Sequence, residues 1–128
     1  MSLKDSLRVL VVDDLAASRG ILVNALENFG IRNVFSENKG EDALSFLLKH
    51  PVHLVVSDYN MPGMNGLGLL KAIRGYSQFQ RTGFILVSGT TDRAVVTEGQ
   101  RHGMNNFLPK PVTHETLKKA VEAVVGRI

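Results

Sequence analysis

Three carboxylates, an ammonium and a hydroxyl stand at comparable places in this sequence, each at the end of a short apolar run. Asp13 and Asp14 follow LRVLVV (Leu7–Val12), and Asp58 follows HLVVS. Ser88 closes GFILVS (Gly83–Ser88), and Lys110 comes just after the brief apolar segment Asn106–Leu108. A pair of carboxylates about 4 Å apart costs on the order of 4 kcal/mol at an effective dielectric of 20. Such a cluster must hold protons or a cation. With no His or Cys in the set, an all-oxygen site favours Mg²⁺, which keeps waters and takes up phosphate oxygens. Lys110 adds a movable positive charge and Ser88 a hydroxyl donor, and the combination is equipment for phosphoryl transfer. Asp58, at the end of the central run, takes the nucleophile's role and forms an aspartyl phosphate.

These residues meet only if the apolar runs lie side by side. The runs read as strands buried on both faces, being β-branched and nearly all apolar. Helical patterns alternate with them: Leu22, Ala25, Leu26 and Phe29, stopped by Gly30; then Ala43, Leu44, Leu47 and Leu48, stopped by Pro51. Leu67, Leu70 and Ile73 mark a third helix, a weaker one spans about 92–103, and Leu117, Ala120, Val121 and Val124 share one face of the last. A short strand is expected around Val34–Ser36. Five β-α units with short connections make parallel strands with right-handed crossovers, hence an α/β, doubly wound five-stranded sheet with five helices. In such sheets ligands bind beyond the carboxyl ends of the strands. The five units fill residues 1–128 as one domain, core about 7–126, with no output domain expected.

Bulk composition narrows the field. With 44% hydrophobic and 21% charged residues in 128, the chain is an ordinary globular protein with one sizeable core. It has no cysteine, which excludes disulfides, thiol catalysis and Cys-ligated zinc. The net charge of +3 is spread along the chain without a dense basic run or aromatic stripe, so nucleic acid is not an expected partner. No apolar run approaches the roughly 20 residues of a membrane helix, and the N-terminus is no signal peptide, so the expected location is the cytoplasm. His50, His53, His102 and His114 lack ligand-like spacing and read as surface residues.

Four segments, VLVVDD, VVSDYNMPGMNG, ILVSGT and FLPKPV, together resemble the landmark segments of the receiver domain of bacterial two-component response regulators, in order and spacing over nearly the whole chain. The nearest likeness within that family is to its stand-alone chemotaxis regulators. The resemblance implies a flavodoxin-like sheet of order 2-1-3-4-5. It implies that Asp13 and Asp14 hold Mg²⁺, with Asp14 preferred as direct ligand, together with Asp58 and the backbone carbonyl of Asn60. It implies that Asp58 accepts a phosphoryl group from a kinase phosphohistidine, that Lys110 pairs with it and Ser88 hydrogen-bonds it, and that Lys110–Pro111 is cis. Asn60 and Thr90, two residues beyond Asp58 and Ser88, would modulate dephosphorylation. A sensor histidine kinase or phosphotransfer protein stands upstream, and an unidentified protein target docks downstream on the face of the fourth helix, fifth strand and fifth helix. The protein would be a monomer or a phosphorylation-dependent dimer.

Other readings accompany these. Asp13 or Asp14 alone could equally cap the first helix. Ser88 replaces the family's more frequent Thr, and Phe107 stands where the switch aromatic is often Tyr, so it can rotate but lacks the hydroxyl; it could equally be a fixed core residue. A small Mg²⁺-dependent aspartyl-phosphate phosphohydrolase would usually carry a D-x-D after the first strand and a cap insertion, and this chain has adjacent acids and no spare length. A receiver-shaped module that binds without phosphorylation is the remaining alternative. The chain is therefore expected to phosphorylate and dephosphorylate itself and to act on no external substrate.

Overall fold

Each apolar run singled out above becomes a strand of one parallel sheet. The computed structural model describes residues 3–89 and 93–128. Its elements are α1 (Leu3–Ser6), β1 (Arg8–Val12), α2 (Ala16–Asn28), β2 (Asn33–Glu37), α3 (Gly40–Lys49), β3 (Leu54–Asp58), α4 (Gly66–Arg74), a 3₁₀ turn (Ser77–Phe79), β4 (Gly83–Ser88), α5 (Arg93–Arg101), β5 (Asn106–Pro109) and α6 (His114–Val125). The strand order is β2-β1-β3-β4-β5, as the resemblance implied. The five expected helices are α2 to α6; α1 is a further single turn that no apolar periodicity announced.

Alternation along the strands sends side chains to two separate cores. Val9 and Val11 of β1, Val56 of β3 and Ile85 and Val87 of β4 pack under α2 and α6, against Leu22, Leu26, Leu117 and Val121. Leu10, Val12, Val55, Phe84 and Leu86 face the other way, against Ala43, Leu47, Leu70 and Ile73 of α3 and α4. Each fully buried aliphatic side chain contributes roughly 1.5–3 kcal/mol. That burial makes the centre of the sheet a rigid base for whatever its ends carry.

Helix ends follow local chemistry. Gly30, at φ +94°, closes α2: its N–H bonds the Glu27 carbonyl, and the Ile31 N–H reaches back to Leu26. Only a residue without Cβ takes that left-handed position cheaply. Asn65 caps α4 by accepting the Gly68 N–H at 2.8 Å. Thr113 and Thr116 cap α6 reciprocally. Gly66 has a different constraint, because a Cβ there would meet the Asp58 carbonyl oxygen at 2.5 Å and Leu86 Cδ1 at 2.6 Å. The start of α4 thus rests directly on the end of β3.

In α5 the only buried side-chain positions are Val95 and Gly99. Its interior glycine, costly in a helix by roughly 1 kcal/mol relative to Ala, has a packing reason: a Cβ at Gly99 would lie 2.7 Å from the Met104 sulfur. Two outcomes follow. Amide hydrogens of α5 exchange faster than those of α2, and equal protection would refute the weakness assigned to α5. Gly66→Ala lowers the unfolding free energy by about 1–3 kcal/mol in urea denaturation, the cost of overpacking against backbone; an unchanged midpoint would mean that the end of β3 yields freely.

Candidate functional site

Strand register brings the expected residues to one edge of the sheet. Val12 lies opposite Ser57, which sets Asp13 level with Asp58. Asp58 lies opposite Val87, so Ser88 follows one step beyond. Ser88 lies opposite Pro109, and the Lys110 N–H donates to the Ser88 carbonyl at 2.9 Å. Lys110–Pro111 is cis. The loop after Asp58 is pinned at both ends, with the Tyr59 N–H donating to the Val87 carbonyl and the Gly66 N–H to the Tyr59 carbonyl.

Asp13, Asp14 and Asp58 each offer a carboxylate oxygen, all within 4.8 Å of one another. Oxygen ligands about 2.1 Å from an octahedral Mg²⁺ stand about 3.0 Å apart when adjacent and about 4.2 Å when opposite, so the trio would draw together to share one ion. A second observation supports the fit. Asp58 Oδ1 is buried and receives no aligned hydrogen bond, although Lys110 Nζ stands 3.1 Å away as an ion-pair partner. A buried carboxylate oxygen whose only polar neighbour of opposite charge among the described residues is a movable ammonium is an atom that a cation or a new covalent bond would satisfy.

The two neighbouring acids are not equivalent. Asp13 is buried; its Oδ1 accepts the Leu15 N–H at 3.0 Å and its Oδ2 accepts the Ser18 hydroxyl. It therefore does helix-entry work, without being the N-cap, and still belongs to the carboxylate cluster. Asp14 is part-exposed and its carboxylate makes no hydrogen bond among the described residues. Ser18 and Arg19, whose guanidinium donates to the Asp13 carbonyl at 2.8 Å, are site residues that the sequence reading did not pick out. Their signal was available in principle, since α2 begins at Ala16 and its first turn faces back on Asp13. A cavity of about 540 Å³ opens beside the cluster, lined by Asp13, Ser18, Leu22, Val87, Lys110 and Val112 among others.

The remaining expected positions divide. Ser88 is buried at the end of β4. Asn60 is exposed in the loop, two residues past Asp58. Phe107 is half-buried against the core under α3 and α4, opposite Leu86, neither sealed in nor free. Thr90 lies outside the described residues. The histidines stay away from the cluster: His53 Nδ1 accepts the Arg8 N–H, His102 meets Glu98, and His114 packs edge-on against Phe29. Among the described residues no helix is long and apolar enough to cross a membrane.

Comparison with known proteins agrees with this geometry. Residues 9–122 match the family profile of the response regulator receiver domain. The chain is 40% identical over 128 residues to a probable chemotaxis protein CheY of Rhizobium etli, covering 100% of this chain and 99% of that one. It is 32% identical to chemotaxis protein CheY-3 of Vibrio cholerae over 126 residues, 98% of this chain and 97% of the other. The solved structure of chemotaxis protein CheY4 of Vibrio cholerae superposes with a TM-score of 0.87 at 32% identity, over 92% of this chain and 98% of that one.

The electrostatics of Asp58 carry a consequence for stability. Burial raises the Asp58 carboxyl above its ordinary value; the Lys110 ammonium pulls it back, and the Asp13 carboxylate pushes it further up. A carboxyl raised in the folded state stabilises the fold fully below its unfolded value, and that contribution is lost as pH rises through the folded one. At neutral pH the ionised Asp58 therefore opposes folding. Asp58→Asn is expected to raise the urea midpoint in EDTA at pH 7, with the gap to the parent protein closing as pH falls into the carboxylate range. An Asn variant less stable than the parent at pH 7 would overturn the assignment.

Proposed function

The chain belongs to the response regulator receiver family of two-component signalling, and from that membership we propose that it is a switch whose phosphoryl acceptor is Asp58. One observation carries the choice of acceptor. Asp58 Oδ1 is the buried carboxylate oxygen without an aligned donor, and it faces the Lys110 ammonium inside a carboxylate trio.

The donor is a phosphohistidine of a sensor kinase or phosphotransfer protein. An Asp58 carboxylate oxygen forms a bond to phosphorus while the P–N bond breaks. The electron pair returns to the donor imidazole, which takes a proton from solvent. Lys110 pairs with the incoming phosphoryl oxygens and Ser88 donates a hydrogen bond to them, so the charge arriving on Asp58 has fixed partners. Asp13, Asp14, Asp58 and the Asn60 carbonyl hold Mg²⁺, which when bound neutralises charge on the transferring group. Asp14, with its carboxylate unengaged, is suited to direct ligation. In dephosphorylation water attacks phosphorus, the bond from phosphorus to the Asp58 oxygen breaks, and inorganic phosphate leaves a free carboxylate, with Asn60 and Thr90 modulating the rate. No external substrate is turned over.

Output is assigned to the face of α5, β5 and α6, with Ser88 and Phe107 linking it to the acceptor. The chemotaxis names of its relatives fit a protein target downstream. Phe107 is half-buried, so a rotation inward or outward is sterically available, without a hydroxyl to fix either position.

The test is intact-protein mass after incubation with acetyl phosphate, with and without Mg²⁺, for the parent and Asp58→Ala. A gain of one phosphoryl group that needs Mg²⁺ and vanishes in Asp58→Ala is the expected result. No adduct, together with no Mg²⁺ binding, would leave a receiver fold that binds its partner without phosphorylation.

A further inference from the structure

We propose that Ser18 is a positioning residue for the metal site, its hydroxyl holding the Asp13 carboxylate in the orientation that Mg²⁺ requires. The inference rests on the Mg²⁺ site proposed above. Asp13 is held at every polar group it has. Its N–H donates to the Glu37 carbonyl at 3.2 Å, and its carbonyl accepts Arg19 Nη1 at 2.8 Å. Its Oδ1 accepts the Leu15 N–H at 3.0 Å and its Oδ2 the Ser18 hydroxyl at 2.5 Å. Asp13 as a residue is 1% exposed, so its hydrogen bonds are made almost wholly within the protein.

Geometry then decides what Ser18 does. A carboxylate has about four lone-pair positions. Two of Asp13's are engaged, and those that remain must address the ion and its waters. The Leu15 N–H alone fixes one oxygen but leaves the carboxylate able to pivot on that oxygen by coupled rotation about the Cα–Cβ and Cβ–Cγ bonds. The Ser18 hydroxyl, reaching from the first turn of α2, fixes the other oxygen and stops that rotation. It has a competing acceptor, the Leu15 carbonyl at 3.3 Å, but the charged oxygen is nearer and bonds more strongly. Without the hydroxyl, repulsion from Asp58 would turn Asp13 away from the shared space. Groups that orient metal ligands typically change affinity about 10- to 100-fold.

The experiment is calorimetric titration of Mg²⁺ into the parent protein, Ser18→Ala and Ser18→Thr, with urea unfolding in EDTA to establish that each is folded. Ser18→Ala is expected to bind Mg²⁺ about tenfold more weakly, and Ser18→Thr, which keeps the hydroxyl, close to the parent. In acetyl phosphate labelling, Ser18→Ala should reach the parent's plateau at saturating Mg²⁺ with its half-saturation moved to higher Mg²⁺. A general structural defect would lower the plateau instead. Undiminished Mg²⁺ affinity in Ser18→Ala, or a loss that Ser18→Thr does not restore, would overturn the role of Ser18 while leaving the metal site standing. Failure of the parent itself to bind Mg²⁺ would overturn the metal site, and this inference with it.

Discussion

Mutual repulsion of Asp13, Asp14 and Asp58 is the constraint around which the rest of this structure is arranged. Carboxylate oxygens within 4.8 Å of each other would separate if the backbone allowed it. The backbone does not, because β1 and β3 are hydrogen-bonded neighbours whose ends are level. β3 and β4 are buried along their whole length, so neither can slide without exposing apolar side chains. Hydrophobic burial, distributed over two cores, thus holds an unfavourable electrostatic arrangement in place. Burial is the main cause of the raised Asp58 carboxyl, the Asp13 charge adds to it, and Lys110 supplies the partial relief.

Supporting contacts make the same point locally. Gly66 lets α4 begin against the Asp58 carbonyl, so the backbone of Asp58 is packed from behind as well as paired with Val87 of β4. The Lys110 N–H bond to Ser88 ties the end of β5 to β4, which keeps the ammonium within reach of Asp58 while its stem stays part-exposed and able to move. Rigid anion and mobile cation are complementary: Asp58 is fixed by the sheet, and the ammonium that faces it sits on a flexible stem.

Much of this was legible because it depends on periodicity and on strand ends. Apolar runs ending in Asp13-Asp14, Asp58 and Ser88 gave both the sheet and the residues at its edge, since a strand's last residue is at the sheet's rim whatever the tertiary details. Positions such as Leu26, Leu47, Ile73 and Leu117 are buried as their spacing requires. The misses have physical reasons. Leu48 shares the helical spacing of α3 but is 45% exposed, because α3 covers the edge of the sheet and only one side of its apolar stripe finds a partner. Leu69, adjacent to Leu70, is fully buried because α4 is enclosed by β4, α3 and α5, a breadth of contact that a stripe of three residues understates. The grip of Ser18 and Arg19 on Asp13 depends on where α2 starts, to the residue, and sequence patterns fix helix ends least well.

The asymmetry of α5 is the last step in the same logic. Its C-terminal end is anchored: Arg74 of α4 donates to the Phe79 and Gly103 carbonyls at 2.7 and 2.9 Å and to Asn105 Oδ1 at 3.2 Å. Asn105 Oδ1 in turn accepts the Phe84 N–H, so the turn into β5 is fastened to the start of β4. Burial lowers the Arg74 guanidinium below its ordinary value, and three oxygens without a carboxylate among them carry its charge. Lys71 and Glu98 add only an ion pair at 3.8 Å between exposed side chains, worth little in water. α5 is therefore held where it meets β5, at the end of the sheet away from the carboxylates, and by Val95 and Gly99 along its length. Arg74 thus fastens the turn after α5, Val95 and Gly99 seat the helix itself, and its N-terminal end faces the edge of the sheet where Asp58 and Ser88 lie.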